Sequence, residues 1–374
     1  MLSRRPITSS LSRLSGSAVA LPHTARRQLA TAASTAGSAS SDRFVKIVEV
    51  SPRDGLQNEK QVVPTEIKLE LIRRLGQTGL RVIEAGAFVS PKWVPQMGDT
   101  PSLLRSLPLP PSSSSSASAM SYPVLVPNAK GLDSLQELLR SVPQGQAAPT
   151  DEIAIFTAAS QSFCKANTNC TIKESLDRLS QVTSRALQSG LKVRGYVSTV
   201  AGCPYEGDID PEKVGEVSKA LLDMGCYEVS LGDTIGVGTP TKMEAVLEAS
   251  MRKSGRGADV FAAHCHDTFS TGLANVLHLV GLGVRTVDSS VGGLGGCPYS
   301  PGATGNIDTE SVVFALEKEG YRTGADLERL AEIGEWITAQ IGRETNASNT
   351  GRAIMAKRRL KAKKEAEAQT KAKL

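Results

Sequence analysis

No stretch of the sequence approaches the roughly 18 uninterrupted apolar residues of a membrane-spanning helix, which excludes a transmembrane anchor of that kind. Cysteine is sparse, with six residues at 164, 170, 203, 226, 265 and 297 and no CxxC pair among them. That spacing argues against a disulfide framework and against a structural zinc module. Histidine is scarcer still, with four in 374 residues. Acidic residues are missing altogether from the first 41 positions, where five arginines stand among Ser and Ala. An Arg-rich, Ser-rich, acid-free leader has the composition of an organelle transit peptide, and Pro6 with its polar neighbours interrupts any secretory apolar core.

The opposite end is also basic. Residues 352–374 hold nine Lys/Arg against two Glu, with neither Pro nor Gly, and read as a solvated helix or charged tail. The chain ends in Ala-Lys-Leu, close to the Ser-Lys-Leu peroxisomal address, so a minor peroxisomal pool is expected beside a mitochondrial one. The ends carry +5 and +7 of a net +5, which leaves −7 on residues 42–351. An acidic body gives no reason to expect nucleic-acid binding. The expected organisation is a leader at 1–41, one domain at 42–345 and a basic tail at 346–374.

Between the ends, one alternation repeats. Strand-like runs occur at Val45–Val50, Val82–Ala85, Val124–Pro127, Glu152–Phe156, Val193–Thr199, Glu228–Asp233, Val260–His266 and Thr286–Val291. Helical patterns follow at Thr65–Thr78, Gly131–Arg140, Thr171–Ser189, Pro211–Met224, Pro240–Lys253, Gly272–Leu282 and Asp308–Glu319; after the second strand the helical signal is poor. Eight strands alternating with helices predict an α/β fold, a (β/α)8 TIM barrel, with a doubly wound open sheet as the alternative. Ala325–Ile341 adds a C-terminal helical segment. Prolines and serines at 107–121 cannot pack a core and predict an exposed insertion within the domain.

In such a barrel the chemistry sits at the C-terminal ends of the strands. The first strand ends in Arg53-Asp54, the second in Glu84, the sixth in Asp233, and the seventh in His264-Cys265-His266. Residues i and i+2 of a strand share a face, so both imidazoles point into the barrel mouth and Cys265 points toward the helices. Two imidazoles with oxygen donors from Asp54 and Asn306 suit a Mg or Mn ion with positions open for substrate. Zinc would more often recruit a further nitrogen or sulfur, which Cys297 could supply. Arg53 beside Asp54 would hold a developing oxyanion, or would form a salt bridge with Glu84 or Asp233. Asp233 would orient a ligating histidine or cap a helix. Gly292–Asn306, rich in glycine, lacks dinucleotide-loop and P-loop spacing and is expected to form a lid carrying Cys297 over the site.

The runs VEVSPRDGLQNE, FVSPKWVPQMGDT, VRGYVSTVAGCPYEG, EVSLGDTIGVGTP, AAHCHDT and VDSSVGGLGGCPYSPGATGN closely resemble those of hydroxymethylglutaryl-CoA lyases, and together span nearly all of 44–342. The resemblance implies metal ligation by Asp54, His264, His266 and Asn306, and a catalytic, substrate-binding cation at Arg53. It also implies catalytic roles for His264, supporting acid–base or orienting roles for Glu84 and Asp233, and a loop thiol needed for turnover at Cys297. The implied activity is cleavage of 3-hydroxy-3-methylglutaryl-CoA, an acyl-CoA substrate, to acetyl-CoA and acetoacetate by a homodimer. Isopropylmalate and homocitrate synthases look similar mainly around Arg53-Asp54-Gly55 and the HxH strand, and a non-catalytic acyl-CoA-binding barrel would be expected to show an eroded site.

Overall fold

Strand formation follows the apolar runs. In the computed structural model, which describes residues 43–107, 120–296 and 305–371, eight parallel strands form. They are β1 (Lys46–Glu49), β2 (Val82–Ile83, resumed at Gly86–Ala87), β3 (Val124–Leu125), β4 (Glu152–Ala158), β5 (Lys192–Ser198), β6 (Glu228–Asp233), β7 (Phe261–Cys265) and β8 (Thr286–Ser289). The leader, most of the Pro/Ser insertion, Cys297 and the final tripeptide lie outside the described residues.

Each strand pairs in parallel with the next, and β8 returns to β1 in the register Lys46↔Thr286 to Glu49↔Ser289. Strand β2 changes partner halfway. Val82–Ile83 pairs with β1 and Gly86–Ala87 pairs with β3, which closes the sheet into a barrel rather than an open doubly wound layer. Strands such as β7, FAAHC, are buried on both faces, as a parallel sheet covered by helices requires.

The helices start where the sequence supplies caps. Thr171 and Glu174 form a reciprocal capping box at the head of Ile172–Gln188, while Asp210 and Thr239 cap helices that open with Pro211 and Pro240. Leu71, Ile72 and Leu75 of Thr65–Leu75 are fully buried in the apolar layer between helices and sheet. The barrel interior differs in character. Ala87, Leu125, Ala154 and Tyr196 form a small apolar cluster there, and Glu84, Arg194, Glu228 and Asp288 supply buried charge.

Some elements depart from the sequence pattern. The weak signal after β2 resolves into a short helix, Thr100–Ser106, and a further helix, Gln161–Thr168, precedes Ile172–Gln188. That eight-residue helix is set by its ends, Ser160 accepting from the Phe163 N–H and Asn169 taking φ 49°, more than by an apolar stripe. A small antiparallel hairpin, Gly202–Cys203 with Gly207–Asp208, follows β5. Ala258–Val260 forms a short helical turn, so β7 starts at Phe261.

Beyond the barrel lie Leu327–Gln340 and the tail helix Asn349–Lys371, which is joined to the former by ion pairs Arg358–Glu332 and Arg359–Glu335. The chain from Phe44 onward is one compact unit that takes in this tail helix. Among the described residues, no helix is long and apolar enough to cross a membrane.

Candidate metal centre

Strand β1 runs directly into a wide helical turn, Ser51–Gly55, opened by Pro52. Gly55 lets this turn pack closely on the end of β8: a Cβ there would come within 2.7 Å of Ser290 Oγ and 3.0 Å of Leu294 Cβ, so a side chain would force both to shift. The turn carries Arg53 and Asp54 over the mouth. His264 arrives from β7, His266 follows just beyond it, and the His266 backbone bridges antiparallel to Asn306. Donor atoms of Asp54, His264 and His266 all lie within 4.8 Å of one another. The four residues named from the sequence are thus brought together, and all are buried.

Their contacts fit a divalent cation. Asp54 Oδ2 and His264 Nε2 stand 3.9 Å apart, too far for a hydrogen bond and spanned by two ligand bonds of about 2.1 Å. Among the described residues, His266 Nδ1 is buried with no hydrogen-bond partner, a costly arrangement that ligation would relieve. Burial pushes the His266 pKa down to about 4, with His264 adding to the effect, so the imidazole is neutral and able to ligate at physiological pH. Burial works against the Asp54 charge, but the Arg53 guanidinium, the two imidazoles and the Asn306 amide together outweigh it and hold the carboxyl below its ordinary range. Asn306 donates its amide to Asp54 Oδ2 at 2.8 Å. In that orientation it steadies the carboxylate, and it becomes a ligand only after the amide turns to present Oδ1. The donor set is nitrogen and oxygen. Cys265 faces the helices, and burial raises its pKa well above the usual thiol value, so no thiolate joins the set from β7.

Arg53 reaches in two directions. Its Nε and Nη2 donate to Glu84 Oε1 and Oε2, each at 3.0 Å, and Nη1 donates to Asp54 Oδ1 at 2.7 Å. The bridge to Glu84 and the contact to Asp54 are therefore one arrangement. Burial opposes the Arg53 charge, yet Glu84 and Asp54 more than offset it and its pKa is raised. Tyr196 Oη donates to Glu84 Oε2 at 2.8 Å and accepts from Arg194 Nη1 at 2.7 Å.

Asp233 is placed differently from the expectation that it orients a ligating histidine. Alternation along β6 directs it to the helix side, where its carboxylate accepts the Val237 and Gly238 N–H groups at 3.1 and 2.8 Å. Burial pushes its pKa up to about 6. The position beside the histidine belongs to Asp288, whose Oδ2 lies 3.2 Å from His264 Nδ1. Sequence reasoning missed Asp288, Arg194, Tyr196 and Ser230. The signal was available: Arg194 and Tyr196 in β5, like Thr286 and Asp288 in β8, are polar at i and i+2 and so share the inner face.

Cys297 lies outside the described residues, but the stems of its loop do not. Asn58 Nδ2 donates to Gly296 O at 3.0 Å, and a Cβ at Gly295 would come within 2.9 Å of Asn306 Nδ2. The glycine there permits the loop to start directly against the site.

Comparison with known proteins gives concordant results. The HMGL-like family model matches residues 44–337. The chain is 51% identical over 304 residues to the cytoplasmic 3-hydroxy-3-methylglutaryl-CoA lyase of Mus musculus, covering 81% of this chain and 83% of that one. It is 50% identical over 303 residues to the mitochondrial hydroxymethylglutaryl-CoA lyase of Gallus gallus, covering 81% and 95% respectively. The crystal structure of hydroxymethylglutaryl-CoA lyase from Pseudomonas aeruginosa superposes with a TM-score of 0.77 at 42% identity, covering 84% of this chain and 98% of that one.

Proposed function

Since the chain belongs to the HMGL-like family, we propose that it cleaves 3-hydroxy-3-methylglutaryl-CoA to acetyl-CoA and acetoacetate at the site formed by Arg53, Asp54, His264 and His266. The observation that carries this reading is the buried Asp54–His264–His266 cluster, set at the C-terminal mouth of the barrel with a fixed cation beside it. Asp54, His264 and His266, joined by Asn306 once its amide turns, would hold Mg2+ or Mn2+. The ion would supply Lewis acidity toward the substrate's oxygens.

In the reaction a base takes the C3 hydroxyl proton and the C2–C3 bond breaks. The C3 oxygen becomes the ketone of acetoacetate, and the electron pair passes to C2 and the thioester oxygen as an enolate. A proton delivered to C2 completes acetyl-CoA. Arg53 meets the developing charge. Of its five N–H donors Glu84 takes two and Asp54 one, which leaves two for the thioester oxygen. Because Glu84 is engaged by both Arg53 and Tyr196, its role is to orient the guanidinium. Asp233 acts by holding the turn that ends at Gly238. With both ring nitrogens of His264 engaged, by Asp288 and the ion site, this leaves the proton transfers to Cys297.

The leader at 1–41, the barrel at 42–345 and the basic tail at 346–374 complete the reading. We assign the leader to mitochondrial import, Ala-Lys-Leu to a minor peroxisomal pool, and the native assembly to a homodimer. Mitochondrial and cytoplasmic lyases match the chain equally well, so the leader's composition carries the mitochondrial assignment. The activity is tested by incubating the protein lacking residues 1–41 with 3-hydroxy-3-methylglutaryl-CoA and Mg2+ and assaying acetoacetate. Its formation supports the reading, and no product with or without reductant contradicts it.

A further inference from the structure

We infer that Asp288, held in place by Arg194, is the positioning residue that fixes His264 with Nδ1–H turned inward and the Nε2 lone pair turned to the metal site; this rests on the metal reading above. Asp288 stands on β8 directly in register with His264 on β7. Its carboxylate is surrounded by donors. Oδ1 accepts from Arg194 Nη2 at 2.7 Å, while Oδ2 takes Ser230 Oγ at 2.7 Å, Arg194 Nη1 at 3.2 Å and the His264 Nδ1 contact at 3.2 Å.

A carboxylate can only accept, so the ring nitrogen facing it carries the hydrogen. The neutral imidazole then has its lone pair on Nε2, the nitrogen that faces Asp54 Oδ2. The Tyr196 ring meets His264 edge-on, with centroids 5.8 Å apart, and limits rotation of the imidazole. Arg194 is itself anchored. Its Nε donates to Glu228 Oε1 at 2.7 Å, and the second oxygen of Glu228 takes Lys46 Nζ at 2.9 Å. Buried charges from β5, β6 and β8, with half-buried Lys46 from β1, thus converge on one ring orientation. His266 differs, because among the described residues its Nδ1 has no hydrogen-bond partner. The two imidazoles are therefore unequal: His264 is oriented by a carboxylate, and His266, though buried, has no such partner at Nδ1.

Histidine-selective 15N labelling of the Mg2+-loaded wild-type protein tests this directly. Long-range 1H–15N correlations, with the ring assigned by its loss in His264→Gln, should show hydrogen on Nδ1 and none on Nε2. Hydrogen on Nε2 overturns the inference while leaving the metal site intact. Asp288→Asn should weaken Mn2+ binding by about 10- to 100-fold with the KM for acyl-CoA little changed. Undiminished affinity in a folded variant overturns the positioning role, and if the variant does not fold the wild-type spectrum decides. Failure of the wild-type protein to bind any divalent ion overturns the metal reading itself, and this inference with it.

Discussion

Arg53 and Glu84 meet through two parallel N–H···O bonds, both 3.0 Å long, which fix the plane of the guanidinium before any substrate arrives. The residues are 31 positions apart, and the turn after β1 and the break in β2 bring them together. A bidentate pair of this kind defines direction as well as charge. The remaining N–H groups of Arg53 are therefore held in a fixed direction beside Asp54.

Arg53→Gln should lower kcat by about a thousandfold, the scale of losing one preorganised donor to transition-state charge, or about 4 kcal/mol. Because Glu84 would then be buried without its cation, the variant should also lose roughly 3–5 kcal/mol of stability. Steady-state kinetics and denaturant unfolding measure the two separately. Wild-type kcat in the variant would show that Arg53 serves the fold alone.

His266→Ala should bind Mn2+ more weakly and lose most turnover, with partial recovery at high Mn2+ because the other donors remain. Metal titration followed by activity at each concentration checks this. Full activity at trace metal would remove His266 from the site.

The Asp233 carboxyl gives a pH signature. Its folded pKa, pushed up to about 6 by burial, lies above the unfolded value of about 3.9. The carboxyl therefore contributes stability that is present at low pH and lost as pH rises through 6. Relative to Asp233→Asn, the metal-free wild-type protein should gain about 2 kcal/mol as pH falls from 6 to 4. Urea unfolding at a series of pH values reads the difference. A difference that does not change with pH would mean that Asp233 is not held in the buried environment seen here.

Cys297 should be the first cysteine modified by a thiol reagent, and a substrate analogue with metal should slow that modification. The five cysteines among the described residues are all buried, and burial raises the pKa of Cys226 to about 12. Mass spectrometry of partly inactivated protein would show whether modification concentrates at Cys297. Equal labelling of all six would contradict its assigned place in the loop.

The barrel was legible because apolar strands and capped helices alternate with little interruption. Arg53, Asp54, His264 and His266 stood out since each follows or ends a buried strand. The second layer did not stand out. Arg194 and Asp288 are 94 positions apart, and they meet inside the barrel from strands β5 and β8, which β6 and β7 separate in the sheet. Asp233 misled for a related reason. It ends a strand among catalytic residue types, but one step along β6 reverses its face, and alternation from Ser230 indicates as much. The helix Gln161–Thr168 was hidden because eight residues with a weak apolar stripe depend on their caps.

The most direct measurement is the product balance of metal-stripped protein before and after Mn2+ is restored. The protein lacking residues 1–41, treated with chelator, should form neither acetyl-CoA nor acetoacetate from 3-hydroxy-3-methylglutaryl-CoA. With Mn2+ returned, both should appear in equal amounts, and Asp54→Ala should remain inactive at the same metal concentration. Turnover in the stripped protein, or unequal products after metal returns, would contradict metal-dependent cleavage at this site.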